Sequence, residues 1–188
     1  MTRMKPRPTA EDEGGESQEV EDARRLTEEE ERELEDLYQS TYSEAYQEAF
    51  EAPLKYLHHD TDAHADNELR VLAAEAGSLE IVGQYWCLME LLAQRKGHVY
   101  DVSRDHGWQF LAIDMSTCGV HMSADQCREA VERLAEFNKI NAESFAEGHI
   151  VSDRISRQAA RYADKFASAK AGGAKSARKR QMLKERDG

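Results

Sequence analysis

Three histidines and three aspartates fall within nine residues, at His58, His59, Asp60, Asp62, His64 and Asp66. Imidazole and carboxylate donors at this density suit zinc or another borderline cation. A metal site on a short loop needs a further ligand from elsewhere. The chain has neither an H-E-x-x-H helix nor a cysteine pair to supply one. The segment therefore reads as a loop of caps and turns, with metal binding as the sharper alternative. Other catalytic arrangements are missing: there is no G-x-S-x-G, P-loop, G-x-G-x-x-G or Cys-x-x-Cys. His98, His106, His121 and His149 stand one to an element, where capping or packing is the expected role. The expectation is a protein that is not an enzyme and holds no metal or cofactor.

The charged residues are distributed more informatively. Residues 11–52 carry 17 acidic and 3 basic groups, whereas residues 151–188 carry 4 acidic and 11 basic. The overall net charge of −12 hides this basic end. Such asymmetry marks an arm for nucleic acid or an acidic partner. It also predicts that the acidic N-terminal part folds back on the basic end and competes with DNA there. Cys87, Cys118 and Cys127 are odd in number and irregularly spaced, which argues for a reducing compartment and against a disulfide framework. Cys87 and Cys127 fit as small packed hydrophobes. No apolar run is long enough to span a bilayer and no signal-peptide core precedes the domain, so the expected place is the cytoplasm.

These residues must be positioned by a mainly helical chain. Ser78–Gly97 is the richest apolar stretch, with Val82, Tyr85, Trp86, Met89, Leu92 and Ala93 at helical spacing. Trp86 and Met89 are expected in the core. Residues 1–26 lack periodicity and read as a disordered acidic segment. Residues 27–52 open on the capping box Thr27–Glu30 and form an amphipathic acidic helix with an aromatic stripe, ended by Pro53. Asp66 or Asn67 caps a short helix stopped by Gly77. After the central helix, residues 98–102 form a brief strand, and Ser103 caps a helix through Met115. Ser123–Gln126 is a second capping box and starts a helix whose inner face is Cys127, Ala130, Val131, Leu134 and Phe137. Residues 138–142 and 149–152 read as two strands of a hairpin turned at Gly148. A last helix begins at Asp153 and breaks at Gly172-Gly173.

This order is the parts list of a winged helix-turn-helix, mainly α with a small β-hairpin, spanning residues 54–170. The acidic helix precedes it. A basic helix end and a flexible basic tail over residues 171–188 follow. The helix-turn-helix pair is Ser103–Met115 and Ser123–Phe137, and the wing is the hairpin near Ala142–Gly148.

The run Gly83-Gln84-Tyr85-Trp86-Cys87-Leu88-Met89-Glu90-Leu91-Leu92 is distinctive. With Tyr56 and His59-Asp60 before it, and Phe137–Ile140 and His149–Ile155 after it, the chain resembles the N-terminal winged-helix domain of DnaD-like replication initiators of phages and mobile elements. The likeness covers about residues 54–180. It implies DNA as the partner, with replication proteins and self-association admitted beside it; no membrane partner is expected, because no apolar run is long enough to span a bilayer. Two features are expected to set it apart from that family: the acidic extension over residues 1–52, and no helical DnaD domain following the matched region.

Candidate DNA contacts follow. Arg128 and Arg133 lie outward on the second helix of the pair and are the base-contact candidates, since Arg reads guanine edges well. Glu129, Glu132 and Glu136 share that face, so a solvated surface with a Glu129–Arg133 pair is the competing reading. Lys139 lies at the hairpin entry. Arg154, Arg157, Arg161 and Lys165 lie along the last helix and suit phosphates. Lys175, Arg178, Lys179 and Arg180 would form a nonspecific arm.

Overall fold

The structure is a computed structural model that describes residues 26–57 and 66–186. The expected disorder of residues 1–25, and the metal reading at His58–His64, lie outside the described residues. The chain divides into two compact units. One comprises the two ends, up to Tyr42 and from Ala169 onward; the other is Ser43–Ser168.

The helices are α1 (Glu28–Glu51), α2 (Asn67–Glu75), α3 (Glu80–Gln94), α4 (Gly107–Thr117), α5 (Ala124–Glu136), α6 (Ala142–Ala146) and α7 (Asp153–Arg186). Two strands, β1 (Val99–Asp101) and β2 (His149–Val151), pair antiparallel with Tyr100 opposite Ile150. Among the described residues the architecture is mainly helical with one small two-stranded sheet.

In the 43–168 unit, α3 is the centre. Ile81, Tyr85, Cys87, Leu88, Met89, Leu91, Leu92 and Ala93 are all buried, and Gly83, Glu90 and Gln94 form an exposed strip. A helix this apolar must be packed on several sides. Leu69 and Leu72 of α2, Leu111 and Met115 of α4, and Val131 and Leu134 of α5 join it in one core. Ile140, Ile150 and Ile155 close the same cluster. Ser78 Oγ accepts from the Glu80 amide at 3.0 Å, satisfying one of the donors left over at the start of α3. At the other end His98 is buried, and its ring nitrogens face the Phe50 and Leu92 carbonyl oxygens at 3.0 and 3.4 Å. The Leu54 amide donates to the Ala93 carbonyl at 2.8 Å, which ties the segment after α1 to the end of α3.

Both capping boxes form. The Glu30 amide donates to Thr27 Oγ1 and the Thr27 amide to Glu30 Oε2. Ser123 and Gln126 exchange the same pair at the start of α5. Asp66 caps α2, accepting from the Glu68 and Leu69 amides at 3.1 Å each.

Four expectations are corrected. Residues 138–152 are not a hairpin. Asn141 Oδ1 accepts from the Ser144 amide and starts α6, and β2 pairs instead with β1, some fifty residues earlier. A single bond of the expected hairpin survives, from the Asn141 amide to the Val151 carbonyl at 2.8 Å. Residues 138–141 are taken up by the left-handed Asn138 that closes α5 and by the Asn141 cap, and Ala-Glu-Ser-Phe-Ala has no β-branched residue to favour an extended chain over the helix that follows. Second, Ser103 does not cap α4. Its amide and hydroxyl both donate to Asp101 Oδ1, at 3.0 and 2.6 Å, and α4 begins only after His106, whose φ is +63°. Third, α7 does not break at Gly172-Gly173 but runs on to Arg186, so residues 171–186 are helix and not a flexible tail. Two interior glycines disfavour a helix by about 1 kcal/mol each relative to alanine. Here the ion pairs described below and the burial of Ala171 and Met182 outweigh that preference. Fourth, Trp86 is only half-buried at the rim of the core, whereas Met89 is fully enclosed.

Gly148 is required where β2 begins. Its φ is +83°, its carbonyl accepts from the Val102 amide at 2.9 Å, and a Cβ there would stand 2.6 Å from that of Ser103. Only glycine fits such a conformation with the strands this close.

Candidate nucleic-acid interface

The sequence-predicted contacts fall into three groups. On α5, Arg128 and Arg133 are exposed. The Arg128 guanidinium lies 5.2 Å from the centre of the Trp108 ring, and Trp108 meets Phe145 of α6 edge-on. Arg133 pairs with Glu129 one turn before it, at 3.5 Å. Glu132 and Glu136 are exposed beside them. The outward face of α5 therefore carries more carboxylate than guanidinium, and one of its two guanidinium groups is already paired.

Lys139 is placed differently. It follows the left-handed Asn138, whose φ is +54°, and its amide closes α5 by donating to the Leu134 carbonyl. Its side chain is 11% exposed, and its Nζ donates to both Asp66 oxygens, at 2.9 and 2.7 Å. Glu68 Oε2 stands 2.7 Å away as well. Burial alone would raise the Asp66 carboxyl, but the Lys139 ammonium and the Leu69 and Glu68 amides hold it below the usual aspartate value. Burial alone would likewise lower Lys139, yet its two carboxylates raise it. This cation is committed to the α2 cap and is not open to phosphate.

The third group lies on α7. Within the 43–168 unit, Arg157, Arg161 and Lys165 recur every four residues and are all exposed, so they line one helical face. None has an ion-pair partner among the described residues. Arg154 starts the row, with its guanidinium 5.2 Å from the centre of the Trp86 ring. Tyr162 and Phe166 stack 6.4 Å apart beside the row and are both exposed. The opposite side of α7 is buried through Ile155, Ala159, Ala163 and Ala167. The small alanines let that side pack closely, which leaves the long cations facing outward.

In the unit built from the chain ends, the basic residues of α7 meet the acidic start of α1. Lys175 pairs with Glu35 at 2.7 Å, Arg178 with Glu33 at 2.8 Å and Arg186 with Glu30 at 2.5 Å. Lys175 Nζ also lies 5.6 Å from the centre of the Tyr38 ring. Lys179 and Arg180 are exposed and take no part in these pairs. Sequence reasoning grouped Lys175 and Arg178 with them, because charge counts do not tell paired from unpaired cations.

No cluster of three or more potential metal ligands occurs among the described residues. Asp66, the member of the His–Asp segment within them, is bound to Lys139 and the α2 amides. Burial pushes the Cys127 thiol up to about 11, and Cys87 is raised as well, which suits packing rather than nucleophilic chemistry. No described helix is long and apolar enough to cross a membrane.

A family model described as Lin1244/Lin1753-like, N-terminal, matches residues 56–155, just over half of the chain. The chain belongs to the Lin1244/Lin1753-like N-terminal family. The matched region includes α2 to α6, both strands and the first residues of α7, all within the 43–168 unit. Comparison with curated proteins and with solved structures gives no match.

Proposed function

We propose that this Lin1244/Lin1753-like domain binds DNA in the cytoplasm as a non-enzymatic, winged-helix module of a phage or mobile element. Its role would lie in replication initiation or its control, as the likeness to DnaD-like initiators suggests. The order α3, β1, α4, α5, α6, β2 supports a winged-helix arrangement in which a short helix takes the place of the wing hairpin. The observation that carries the binding is the row Arg157, Arg161 and Lys165: three exposed cations on one face, with no carboxylate paired to them among the described residues. Affinity for DNA comes mainly from such groups meeting phosphates. The test is a salt-series titration of a mixed-sequence duplex against the full chain and the variant Arg157→Ala/Arg161→Ala/Lys165→Ala. The variant should bind at least about ten-fold more weakly at low salt, and its salt slope should fall by roughly one per lost contact. An unchanged slope would reject α7 as the interface.

A second reading, a protein-interaction adaptor or transcriptional regulator, is favoured by the α4–α5 surface. Phe110 and Ile113 of α4 are 57% and 61% exposed, and the outer face of α5 is mainly acidic. If neither Arg128→Ala/Arg133→Ala nor the α7 triple variant weakens duplex binding, both candidate DNA surfaces are lost and the adaptor reading gains.

A further inference from the structure

The acidic start of α1 and the basic end of α7 form one antiparallel ladder of ion pairs. Glu30 lies against Arg186, Glu33 against Arg178, and Glu35 against Lys175. As the chain advances along α1, its partners retreat along α7. All three pairs lie at the surface, with the cation side chains about one-third exposed. A Thr27 amide and the Arg186 guanidinium hold the Glu30 carboxyl below its usual value, and Lys175 with Gln39 does the same for Glu35. Glu30 and Glu35 therefore stay charged through the neutral range.

We infer that the Glu30–Glu33–Glu35 edge of α1 is an intramolecular stand-in for phosphate, occupying Lys175, Arg178 and Arg186 until a polyanion displaces it. The inference rests on the DNA-binding reading and adds its regulation. Three properties support it. The partners are charged groups in water, so each pair is weak and exchangeable. A carboxylate row along a helix offers Lys and Arg the same charge-assisted acceptors that a phosphate backbone does. And the cations it covers are lysine and arginine, the groups from which affinity for phosphate comes.

The experiment compares three full-length proteins: wild type, Glu30→Gln/Glu33→Gln/Glu35→Gln, and Glu28→Gln/Glu29→Gln/Glu31→Gln. Glutamine keeps the shape and helix propensity of glutamate. The second variant takes the same charge from the same helix turns without breaking a pair of the ladder, so it isolates pairing from net charge. Each is titrated with one mixed-sequence duplex across a salt series. The ladder variant should bind roughly 3- to 30-fold tighter than wild type at low salt, with a clearly smaller gain for the control. The gap should close as salt rises and screens the pairs. Equal gains in both variants, or none in either, overturn the inference and leave DNA binding standing. Absence of duplex binding by all three overturns the DNA reading and the inference together. Amide exchange on the wild type gives a readout that needs no variant: duplex should reduce protection over residues 28–42, and unchanged protection under saturating duplex overturns the displacement.

Discussion

At the scale of single residues, the most consequential finding is what Lys139 does. A lysine at the entry to a wing invites assignment to phosphate. Instead it joins residues 73 positions apart by meeting the carboxylate that caps α2. Asp66 thus serves two amides and one ammonium at once. Lys139→Met should destabilise the domain by about 1–3 kcal/mol, because it leaves a partly buried carboxylate without its cation. Duplex affinity should be unchanged wherever the protein is folded. Asp66→Ala should cost more, since it removes the cap as well, worth about 0.5–2 kcal/mol. The pH dependence has a defined sign. The folded-state Asp66 value is depressed, so its contribution is full above the unfolded aspartate range near 3.9 and is lost as pH falls through the lower folded value. Lys139 is raised, so its contribution is full below the unfolded lysine range near 10.4 and is lost as pH rises through the higher folded value. Denaturant midpoints measured from pH 2 to 11 should therefore differ most between wild type and Lys139→Met across the neutral plateau, and converge at acid pH. A constant difference down to pH 2 would assign the effect to packing.

At the scale of elements, the lesson lies in which signals are local. The capping boxes at Thr27 and Ser123, the Asp66 cap and the apolar face of α3 depend on residues within a few positions of one another, and each is legible in the sequence. So is β1, as a short alternating run. Its partner is not, because pairing across some fifty residues is settled by the packing of α4 and α5 between the strands. The alanine-rich α6 was obscured for the same reason: the strand signal of His149–Val151 suggested a local hairpin. Among the candidate contacts, the exposure of Arg157, Arg161 and Lys165 could be read from helical spacing. The capture of Lys139 could not, since its carboxylate partners are distant in sequence; for Lys175 and Arg178 the charge asymmetry gave the acidic segment as partner but not which cations it would pair. The continuity of α7 through Gly172 and Gly173 gives a direct test. Neither φ is positive, and a Cβ at either position meets no atom within 4 Å. Gly172→Ala/Gly173→Ala should therefore stabilise the helix, by roughly 0.5–1 kcal/mol per site, through the unfolded state and helix propensity. Amide exchange over residues 169–186 should slow. Faster exchange there would mean that the glycines are needed as a joint.

At the scale of the whole molecule, the two units are stabilised by different physics. The 43–168 unit has a broad apolar core around α3, and burial of that kind is insensitive to moderate salt. Among the described residues, the unit of the chain ends buries far fewer large side chains, chiefly Leu34 and Met182, and adds surface ion pairs. Screening weakens exposed pairs once the Debye length falls to a few ångströms, near 1 M salt. Local opening should then be cheapest where apolar contacts are fewest. Amide exchange at low and high sodium chloride should show residues 28–42 and 169–186 less protected than α3 in both conditions. The added salt should lower their protection further and leave α3 unchanged. Chloride is the informative choice, because sulfate would strengthen apolar burial at the same time. Equal loss in both units would mean that they open as one cooperative body, and the chain ends could then not act as a releasable element. Selective loss in the end unit would establish the physical condition that displacement by a polyanion requires: an ion-paired segment that opens while the apolar core holds.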